Sequence, residues 1–314
     1  MNTTRSLNRS GVHLACAVAI CIGALTCSAN AATGSLPPLT TTSYQFSYIE
    51  IPGNLFLAPF MPTEQGSTAG FYIDSQGASY GFIWQDSKVT PLNVPDGNNT
   101  GASGINDHGQ VVGNFVDSSG NNHDFIYSIQ HGTWTILPEV PGLPLLSNVT
   151  INDAGIVVGS GFYGTTANVG FIWDGNSYSF FSVPGADETQ GLGTSPLGMN
   201  DRGQICGLHQ DTQGAVHGFI KDGSNYTTVD VPGADQTWCF GINNQGDVVG
   251  VYYVFAPDFQ EHGYILSKGR FFTFPAPGFS ALTGINDSGM VAGCYTDSFN
   301  LPWHGFVATP HGKD

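Results

Sequence analysis

Short segments of this chain alternate between apolar and polar residues with a period of two, which is the pattern of half-buried antiparallel β-strands. The alternation is strict in Tyr226–Val231. Clusters of Gly, Pro, Asn and Asp separate the segments, and the chain holds 43 Gly and 18 Pro in 314 residues. The pattern therefore predicts many short strands joined by tight turns.

A polar turn inside an apolar phrase recurs along the chain. The phrase Gly-Ile-Asn-x-x-Gly-x-Val-Val-Gly, or a close variant, occupies Gly104–Gly113, Gly241–Gly250 and Gly284–Gly293, and degenerate copies occupy Ile151–Gly159 and Gly198–Gly207. Asn, Asp and Gly tolerate the backbone angles of tight turns. Each copy therefore predicts the end of one strand, an Asn-Asp-x-Gly turn and the start of the next strand.

A second phrase follows each copy and sets the length of the repeat. It reads Gly-Phe-Ile or a variant of it, and its six copies begin at positions 81, 124, 170, 218, 263 and 305. The steps between these copies run from 42 to 48 residues. A period in this range, in a chain rich in β-forming and turn residues, is typical of β-propellers.

Each repeat has the pattern of a four-stranded blade, with the Gly-Phe-Ile phrase on the third strand and a Pro-Gly loop, such as Pro141-Gly142, after the fourth. Six third strands predict six blades. Tyr44–Ile51 has the pattern of a fourth strand with no blade before it, and the last repeat, which ends near Pro310, lacks one. Pairing the two would remove an exposed edge. We therefore predict an all-β fold, a six-bladed β-propeller closed by the N-terminal strand, as a single domain over residues 32–314.

Residues 1–31 have the composition of a signal peptide that is removed on export. Arg5 and Arg9 provide positive charge, Val12–Leu25 is an apolar run, and Ala29-Asn30-Ala31 fits a cleavage site. The apolar run is too short to span a membrane as a helix. We therefore expect a secreted protein, periplasmic or extracellular, with no membrane insertion.

The chain is strongly acidic, with 24 Asp and Glu against 8 Lys and Arg and a formal net charge of −16. Such a charge argues against nucleic acid and anionic membranes as partners. Three cysteines lie beyond the signal peptide, so at least one has no disulfide partner within the mature chain. A Cys206–Cys239 bridge, a Cys239–Cys294 bridge and buried unpaired thiols are the alternatives.

The two phrases together resemble bacterial extracellular repeats of the His-Ala-Phe (HAF) type, and the match covers essentially all of residues 32–314. This chain differs by having Gly in place of Ala, as in His217-Gly218-Phe219, His262-Gly263-Tyr264 and His304-Gly305-Phe306. Its Pro-Gly loops also replace the Leu-Gly-Gly of that group. The resemblance implies an exported β-repeat fold, and it implies neither a defined reaction nor a catalytic residue.

In a propeller, the loops between second and third strands share one face with the loops that lead to the next blade, and we expect ligand to bind on this face. Acidic residues dominate these loops, whereas Lys and Arg fall in turns of the opposite face. The acids are Glu64, Asp74, Asp117, Asp187, Glu188, Asp211, Asp235, Asp258, Glu261 and Asp297. Such a face attracts cations and repels anionic ligands. The alternative is that these acids only solvate the surface.

One break in the repeat marks a candidate catalytic residue. The fourth repeat carries His209 at an aligned second-strand position, with Asp211 two residues further on the same side of the strand. A His beside a carboxylate can act as a general base. Tyr72, Tyr252 and Tyr295 occupy the aligned position in other repeats and are the candidate acids or hydrogen-bond donors. The alternative is that His209 is a hydrogen-bonded replacement for Tyr.

Aromatic and imidazole side chains are the candidate ligand-binding groups. Trp238 ends a Pro-Gly loop and Trp303 precedes a third strand, so we expect both rings to be exposed for contact with a neutral sugar or a cation. His217, His262 and His304 begin third strands, where a structural bond to a loop Asp is the alternative. No standard metal motif is present, and a divalent metal such as calcium, bound weakly by an Asp-x-x-Gly loop, is the cofactor to consider.

These features favour a binding or recognition module that takes a neutral glycan or a cationic small ligand on an acidic, aromatic face. One alternative is a propeller-type lyase or hydrolase that uses His209 as general base. Another is a structural protein that acts as a surface scaffold. We expect a monomer whose partner is a glycan, a small molecule or another extracellular protein.

Overall fold

The computed structural model describes residues 44–139, 146–162, 167–276, 278–297 and 302–311. The predicted signal peptide, residues 1–31, and the Pro141-Gly142 loop lie outside the described residues. Within the described ranges every regular element is a β-strand. The Gly- and Pro-rich composition explains this, since neither residue is favoured inside a helix and both are favoured in tight turns.

Twenty-four strands follow one another along the described chain. The first twelve are β1 (Tyr44–Ile49), β2 (Asn54–Phe60), β3 (Thr68–Asp74), β4 (Ser79–Gln85), β5 (Lys88–Leu92), β6 (Asn98–Ile105), β7 (Gln110–Val116), β8 (Asn122–Ser128), β9 (Thr133–Ile136), β10 (Leu146–Ile151), β11 (Val157–Phe162) and β12 (Asn168–Trp173). The other twelve are β13 (Tyr178–Phe181), β14 (Thr194–Met199), β15 (Ile205–Gln210), β16 (Val216–Asp222), β17 (Asn225–Val229), β18 (Gln236–Ile242), β19 (Val248–Val254), β20 (Gln260–Ser267), β21 (Arg270–Thr273), β22 (Phe279–Ile285), β23 (Val291–Thr296) and β24 (His304–Pro310).

These strands form four four-stranded sheets and one eight-stranded sheet. Three of the smaller sheets, β2–β5, β6–β9 and β10–β13, are antiparallel meanders of consecutive strands. The eight-stranded sheet contains the meanders β14–β17 and β18–β21, which meet at one parallel pair, Val216 with Gln236. The described chain thus has four separate four-stranded blades rather than the predicted six, because the last two meanders share one hydrogen-bonded sheet.

The fourth small sheet combines the two ends of the described chain. Its order is β1-β24-β23-β22, and β1 pairs antiparallel with β24 from Tyr44 opposite Pro310 to Ile49 opposite Gly305. The first strand therefore lies at the outer edge of the sheet that contains the last three. The all-β class and the β-propeller arrangement are confirmed.

The glycine of the Gly-Ile-Asn phrase allows the innermost strands of successive repeats to approach closely. A Cβ added to Gly241 would lie 2.9 Å from the Cα of Gly284, and one added to Gly284 would lie 2.4 Å from the backbone nitrogen of Met61. Real Cβ contacts are not this short. The inner strands also carry a register shift just before this glycine, as between Cys239 and Gly241. The recurring glycine is therefore a packing requirement as well as a turn signal.

Apolar clusters between the sheets form the core. The aromatic residue of the Gly-Phe-Ile phrase is fully buried in every repeat, at Phe82, Phe125, Phe171, Phe219, Tyr264 and Phe306. One large apolar cluster joins residues of the three sheets that contain β2, β18 and β22; its buried members include Phe56, Trp238, Tyr253 and Trp303. Its location explains why large rings at the start of an inner strand are not exposed.

Cys206, Cys239 and Cys294 are free and buried. Cys239 Sγ lies 3.1 Å from the Tyr264 hydroxyl, and burial raises the pKa of Cys239 to about 12. Of the alternatives left open by the sequence, the structure has neither the Cys206–Cys239 nor the Cys239–Cys294 bridge and has buried unpaired thiols instead. Such thiols pack as small apolar groups.

Replacing Gly284 by Ala should destabilise the protein by about 1–3 kcal/mol, because the added methyl group overlaps the backbone of Met61. Gly263→Ala is the matched control, since its Cβ would meet first a flexible Leu282 side chain at 3.2 Å. Urea unfolding of the two variants measures the difference. Equal stability of Gly284→Ala and the parent would contradict the packing role of the inner glycine.

Candidate functional site

The Asn of the Gly-Ile-Asn phrase connects each repeat to the next. In Asn200, Oδ1 accepts hydrogen bonds from the backbone amides of Arg202 at 3.1 Å and Gln204 at 2.9 Å, which fixes its own turn. Its Nδ2 donates to the backbone carbonyl of Asn243 at 2.8 Å. The same cross-repeat bond runs from Asn106 to Asn152 at 2.9 Å, from Asn152 to Asn200 at 3.3 Å, from Asn243 to Asn286 at 3.1 Å, and from Asn286 to Thr63 at 2.9 Å.

The next residue of each turn forms a second set of bonds, and this set closes on itself. Each backbone amide donates to a side-chain oxygen of the following repeat, in a cycle that we call the turn ring. The six bonds are Glu64 to Asp107 at 2.8 Å, Asp107 to Asp153 at 2.8 Å, Asp153 to Asp201 at 2.9 Å, Asp201 to Asn244 at 2.9 Å, Asn244 to Asp287 at 2.7 Å and Asp287 to Glu64 at 2.6 Å. A closed cycle of this kind defines an axis through the molecule.

A cavity of about 150 Å³ lies on this axis. Apolar side chains that precede the turns line its interior, as do Ile105, Ile151, Met199, Ile242 and Ile285. All six residues of the turn ring line it as well, so its wall carries five carboxylates and one amide. No Lys or Arg is among the residues that line this cavity.

Electrostatic repulsion between the carboxylates is relieved at one point of the turn ring. The Nδ2 of Asn244 donates to Oδ2 of Asp201 at 2.9 Å and to Oδ2 of Asp287 at 2.8 Å. Asp153 has no such neighbour, and its pKa is raised by burial and then by the charges of Asp201 and Asp107. The second oxygens of Glu64, Asp107 and Asp153 take no part in the turn ring. This end of the axis is therefore strongly negative.

The position of Glu64 corrects the prediction that placed it with the loops of the other face. Thr63–Gly66 forms the same turn as the Asn-Asp-x-Gly segments, with Gly66 N donating to Thr63 O at 2.9 Å as Gly109 N donates to Asn106 O at 3.0 Å. The Asn-Asp turns were predicted to lie on the face that holds the basic residues. The structure instead concentrates acidic side chains at the centre of that face. The available signal in the sequence was the acid that follows the Asn in four of the five Asn turns, Asn244 being the exception.

The predicted catalytic pair is not assembled. His209 is buried, its Nδ1 has no hydrogen-bond partner, and its ring centre lies 5.4 Å from that of His217. Burial and the neighbouring His217 lower the pKa of His209. Asp211 accepts bonds from the backbone amides of Gln213 at 2.8 Å and Ala215 at 2.9 Å, and its Oδ2 lies 3.6 Å from Nε2 of His217. Asp211 thus contacts His217 rather than His209.

The candidate tyrosines lie in three different sheets and do not converge. Tyr72 packs on Tyr80 with ring centres 5.2 Å apart, Tyr252 on His262 at 5.5 Å, and Tyr295 on His304 at 5.3 Å. Burial is the main cause that raises the pKa of both Tyr72 and Tyr295, which makes them poorer acids. The aligned aromatic position is therefore a repeated cross-strand contact between second and third strands.

The histidines that begin the third strands make two of the expected structural bonds. His123 Nε2 lies 2.9 Å from Asp117 Oδ2, and this bond lowers the pKa of Asp117. His217 Nδ1 lies 3.0 Å from Asp230. Burial lowers the pKa of His262. The bonds of His123 and His217 each lie within one blade, so these histidines do not meet at one site.

Trp238 and Trp303 are not exposed rings, in contrast to the prediction. Their exposed fractions are 4% and 5%, and both belong to the large apolar cluster. Trp238 packs edge-on against Tyr253 at 5.3 Å between ring centres, and Trp303 lies 5.9 Å from Phe56. Neither offers a face for stacking on a sugar. Among the described residues, no group of three or more His, Cys, Asp or Glu is arranged to hold a metal ion.

Two carboxyl groups are deeply buried. Asp124 was not singled out from the sequence, whereas Glu261, expected in a loop of the ligand face, lies in β20. Asp124 is 5% exposed and Glu261 is 2% exposed, and each has one oxygen without a hydrogen-bond partner. Burial raises the pKa of Asp124 to about 7 and that of Glu261 to about 8. Asp124 takes the Gly position of a Gly-Phe-Ile phrase, and this irregularity was the available signal.

Comparison with solved structures finds β-propellers. The chain is similar to TolB from Acinetobacter baumannii, at 9% identity with a TM-score of 0.55, over 80% of this chain and 66% of that one. It is also similar to the β-propeller domain of the Trilobed protease from Pyrococcus furiosus, at 12% identity with a TM-score of 0.51, over 82% and 96% of the two chains. The chain spans less than two thirds of the TolB chain. At these identities the similarity shows the fold alone. No protein-family model and no curated protein sequence matches the chain.

In the part of the chain that the structure describes, no helix has the length and apolar character needed to cross a membrane.

Asp124→Asn should change how stability depends on pH. Burial raises the pKa of Asp124 from its ordinary value of 3.8 to about 7, so the folded protein binds the proton more tightly and loses stability as pH rises from about 4 to about 7. The asparagine variant lacks this loss, which amounts to at most about 4 kcal/mol. Urea unfolding at pH 5 and pH 8 measures it. Asp258→Asn, at an exposed position, is the control; the same pH dependence in Asp124→Asn and the parent would contradict the assignment.

Proposed function

We propose that this protein is a β-propeller binding module that holds a small, positively charged organic ligand in the axial cavity. The observation that carries this proposal is the cavity itself, whose wall has five carboxylates and no Lys or Arg. Carboxylates that share a concave site raise the local concentration of cations and repel anions. The proposed ligand is still a cation, as predicted from the sequence. Its proposed site, however, is at the Asn-Asp turns and not in the loops of the opposite face.

The size and chemistry of the cavity favour a small cation with apolar groups. A cavity of about 150 Å³ suits a ligand with few heavy atoms. The carboxylates at the turn ring suit an ammonium or guanidinium group, and the Ile and Met side chains suit attached carbon atoms. A neutral glycan has less support, since the two tryptophans expected to stack on it are buried.

We further propose that the propeller has six blades and is closed by the N-terminal strand. Support comes from the turn ring, which passes through six turns, and from the eight-stranded sheet, whose two meanders meet at one residue pair. The pairing of β1 with β24 supports closure. The bond between Asp287 and Glu64, which joins residues 223 positions apart, supports it as well.

Export and membership of the HAF repeat group are also proposals. Their support is the composition of residues 1–31 and the recurrence of the two phrases along the chain. In this proposal the protein is a monomer of the periplasm or the extracellular space, and it meets its ligand there.

The charge of the cavity should control ligand binding. Putrescine, methylguanidinium chloride and calcium chloride are tested by thermal unfolding, with sodium propionate as the anionic control. A ligand that binds only the folded state raises the melting temperature by mass action. We expect at least one organic cation to do so and propionate not to do so. Because exposed charges interact through screened forces, the shift should shrink as sodium chloride is raised.

The double variant Asp107→Asn with Asp153→Asn should weaken cation binding roughly tenfold or more, since each charge at about 4 Å in a water-like medium contributes about 1 kcal/mol. Asparagine keeps the oxygen that the turn ring needs, as Asn244 does in the parent. Asp258→Asn removes one carboxylate elsewhere and should bind as the parent does. The proposal fails if no cation shifts the melting temperature, or if the double variant and the parent bind equally.

A further inference from the structure

Three buried polar atoms without hydrogen-bond partners belong to residues of one blade. They are Gln236 Oε1, Trp238 Nε1 and Glu261 Oε1. Trp238 is 4% exposed and Glu261 is 2% exposed, so neither side chain is paired by bulk water. Buried polar groups in proteins nearly always have a partner, and each exception calls for an explanation.

The register of the strands places these side chains on the same face of the sheet. Gln236 of β18 is paired with Tyr253 of β19, and Tyr253 is paired with Glu261 of β20. Paired residues of antiparallel strands project to the same side, as do residues two apart on one strand. Gln236, Trp238 and Glu261 therefore leave the sheet on one side and at one end of the blade.

Aromatic rings provide an apolar wall beside these atoms. The Tyr253 ring lies 5.9 Å from Phe259, which in turn lies 6.1 Å from Phe255 and 6.2 Å from Phe279. The three Phe side chains are only half-buried, unlike the residues beneath them. The patch therefore combines an apolar rim that solvent reaches with a polar floor that lacks partners.

The chemistry of the floor selects an uncharged group. Burial raises the pKa of Glu261 to about 8, so this carboxyl is largely protonated at neutral pH. Trp238 offers only a donor, whereas Gln236 Oε1 offers only an acceptor. A hydroxyl group donates and accepts through one oxygen atom, so it can satisfy both at once.

We propose that the face carrying Gln236, Trp238 and Glu261 binds a neutral sugar unit, with one hydroxyl group on the polar floor and its carbon atoms against Phe259 and Phe279. This site is separate from the axial cavity and does not depend on the cation proposed there. Trp238 acts in it as a hydrogen-bond donor and not as the stacking surface predicted from the sequence.

The experiment is a calorimetric titration of the protein with glucose, galactose, mannose, fucose and N-acetylglucosamine, with putrescine as the ligand of the other site. We expect at least one sugar to bind the parent. Trp238→Phe keeps an aromatic ring and removes the donor, and it should weaken sugar binding at least tenfold. Trp303→Phe is the matched control, because it makes the same change in the same apolar cluster, and it should bind as the parent does.

Substitutions of Glu261 give an independent test. Glu261→Leu removes the polar group and should weaken sugar binding at least tenfold, whereas Glu261→Gln keeps an oxygen acceptor and an N–H donor and should retain it. Thermal unfolding confirms that each variant is folded, and the Asp107→Asn with Asp153→Asn variant should bind sugar normally. Absence of sugar binding would overturn the proposal, as would equal binding by the parent, Trp238→Phe and Glu261→Leu. In either case an ordered water molecule would be the partner of the buried polar atoms.

Discussion

The rest of this structure depends on the turn ring, in which the backbone amide of each Asn-Asp turn is bonded to an acid or amide side chain of the following repeat. In an isolated β-turn, the hydrogen bonds join residues of the same turn. Here the bond reaches the next repeat, so each turn position is fixed by its neighbour. The inner strands that end in these turns must then lie close together around one axis, and Gly241 and Gly284 permit this because no Cβ separates them.

The turn ring also determines the charge of the molecule at this end. An anionic oxygen is a stronger acceptor for a backbone amide than a neutral one, so the same residues that join the repeats concentrate negative charge around the cavity. Asn244 keeps the geometry while it donates to both neighbouring carboxylates. Glu64 also accepts the bond that the turn ring requires: its longer side chain reaches the backbone amide of Asp287 at 2.6 Å. The same set of side chains therefore joins the repeats and carries the charge on which the proposed cation binding depends.

The strands could be predicted from the sequence, but the site could not. The reason is the sequence separation between the residues that form each of them. Alternation and turn residues are local, so β18 and β19 could be predicted from Gly241–Gly250, and the aromatic residue of each Gly-Phe-Ile phrase could be predicted to pack inward. The partner of Asp107 is 46 positions away, and the pattern of a single turn does not contain it. Trp238 was expected to be exposed because it follows a loop, yet its register opposite Val251 places it within the large apolar cluster.

Strand β18 connects the two proposed sites and also keeps them apart. Trp238 lies at the apolar end, Ile242 lines the axial cavity, and Asn244 belongs to the turn ring. Four residue steps of extended chain at about 3.3 Å each separate Trp238 from Ile242 by roughly 13 Å, and the turn that contains Asn244 follows. Phe240, between them on the strand, packs against the large apolar cluster. Sites at this distance, with no shared side chain, act independently in energy. A cation at one end and a neutral sugar at the other would therefore bind without competing.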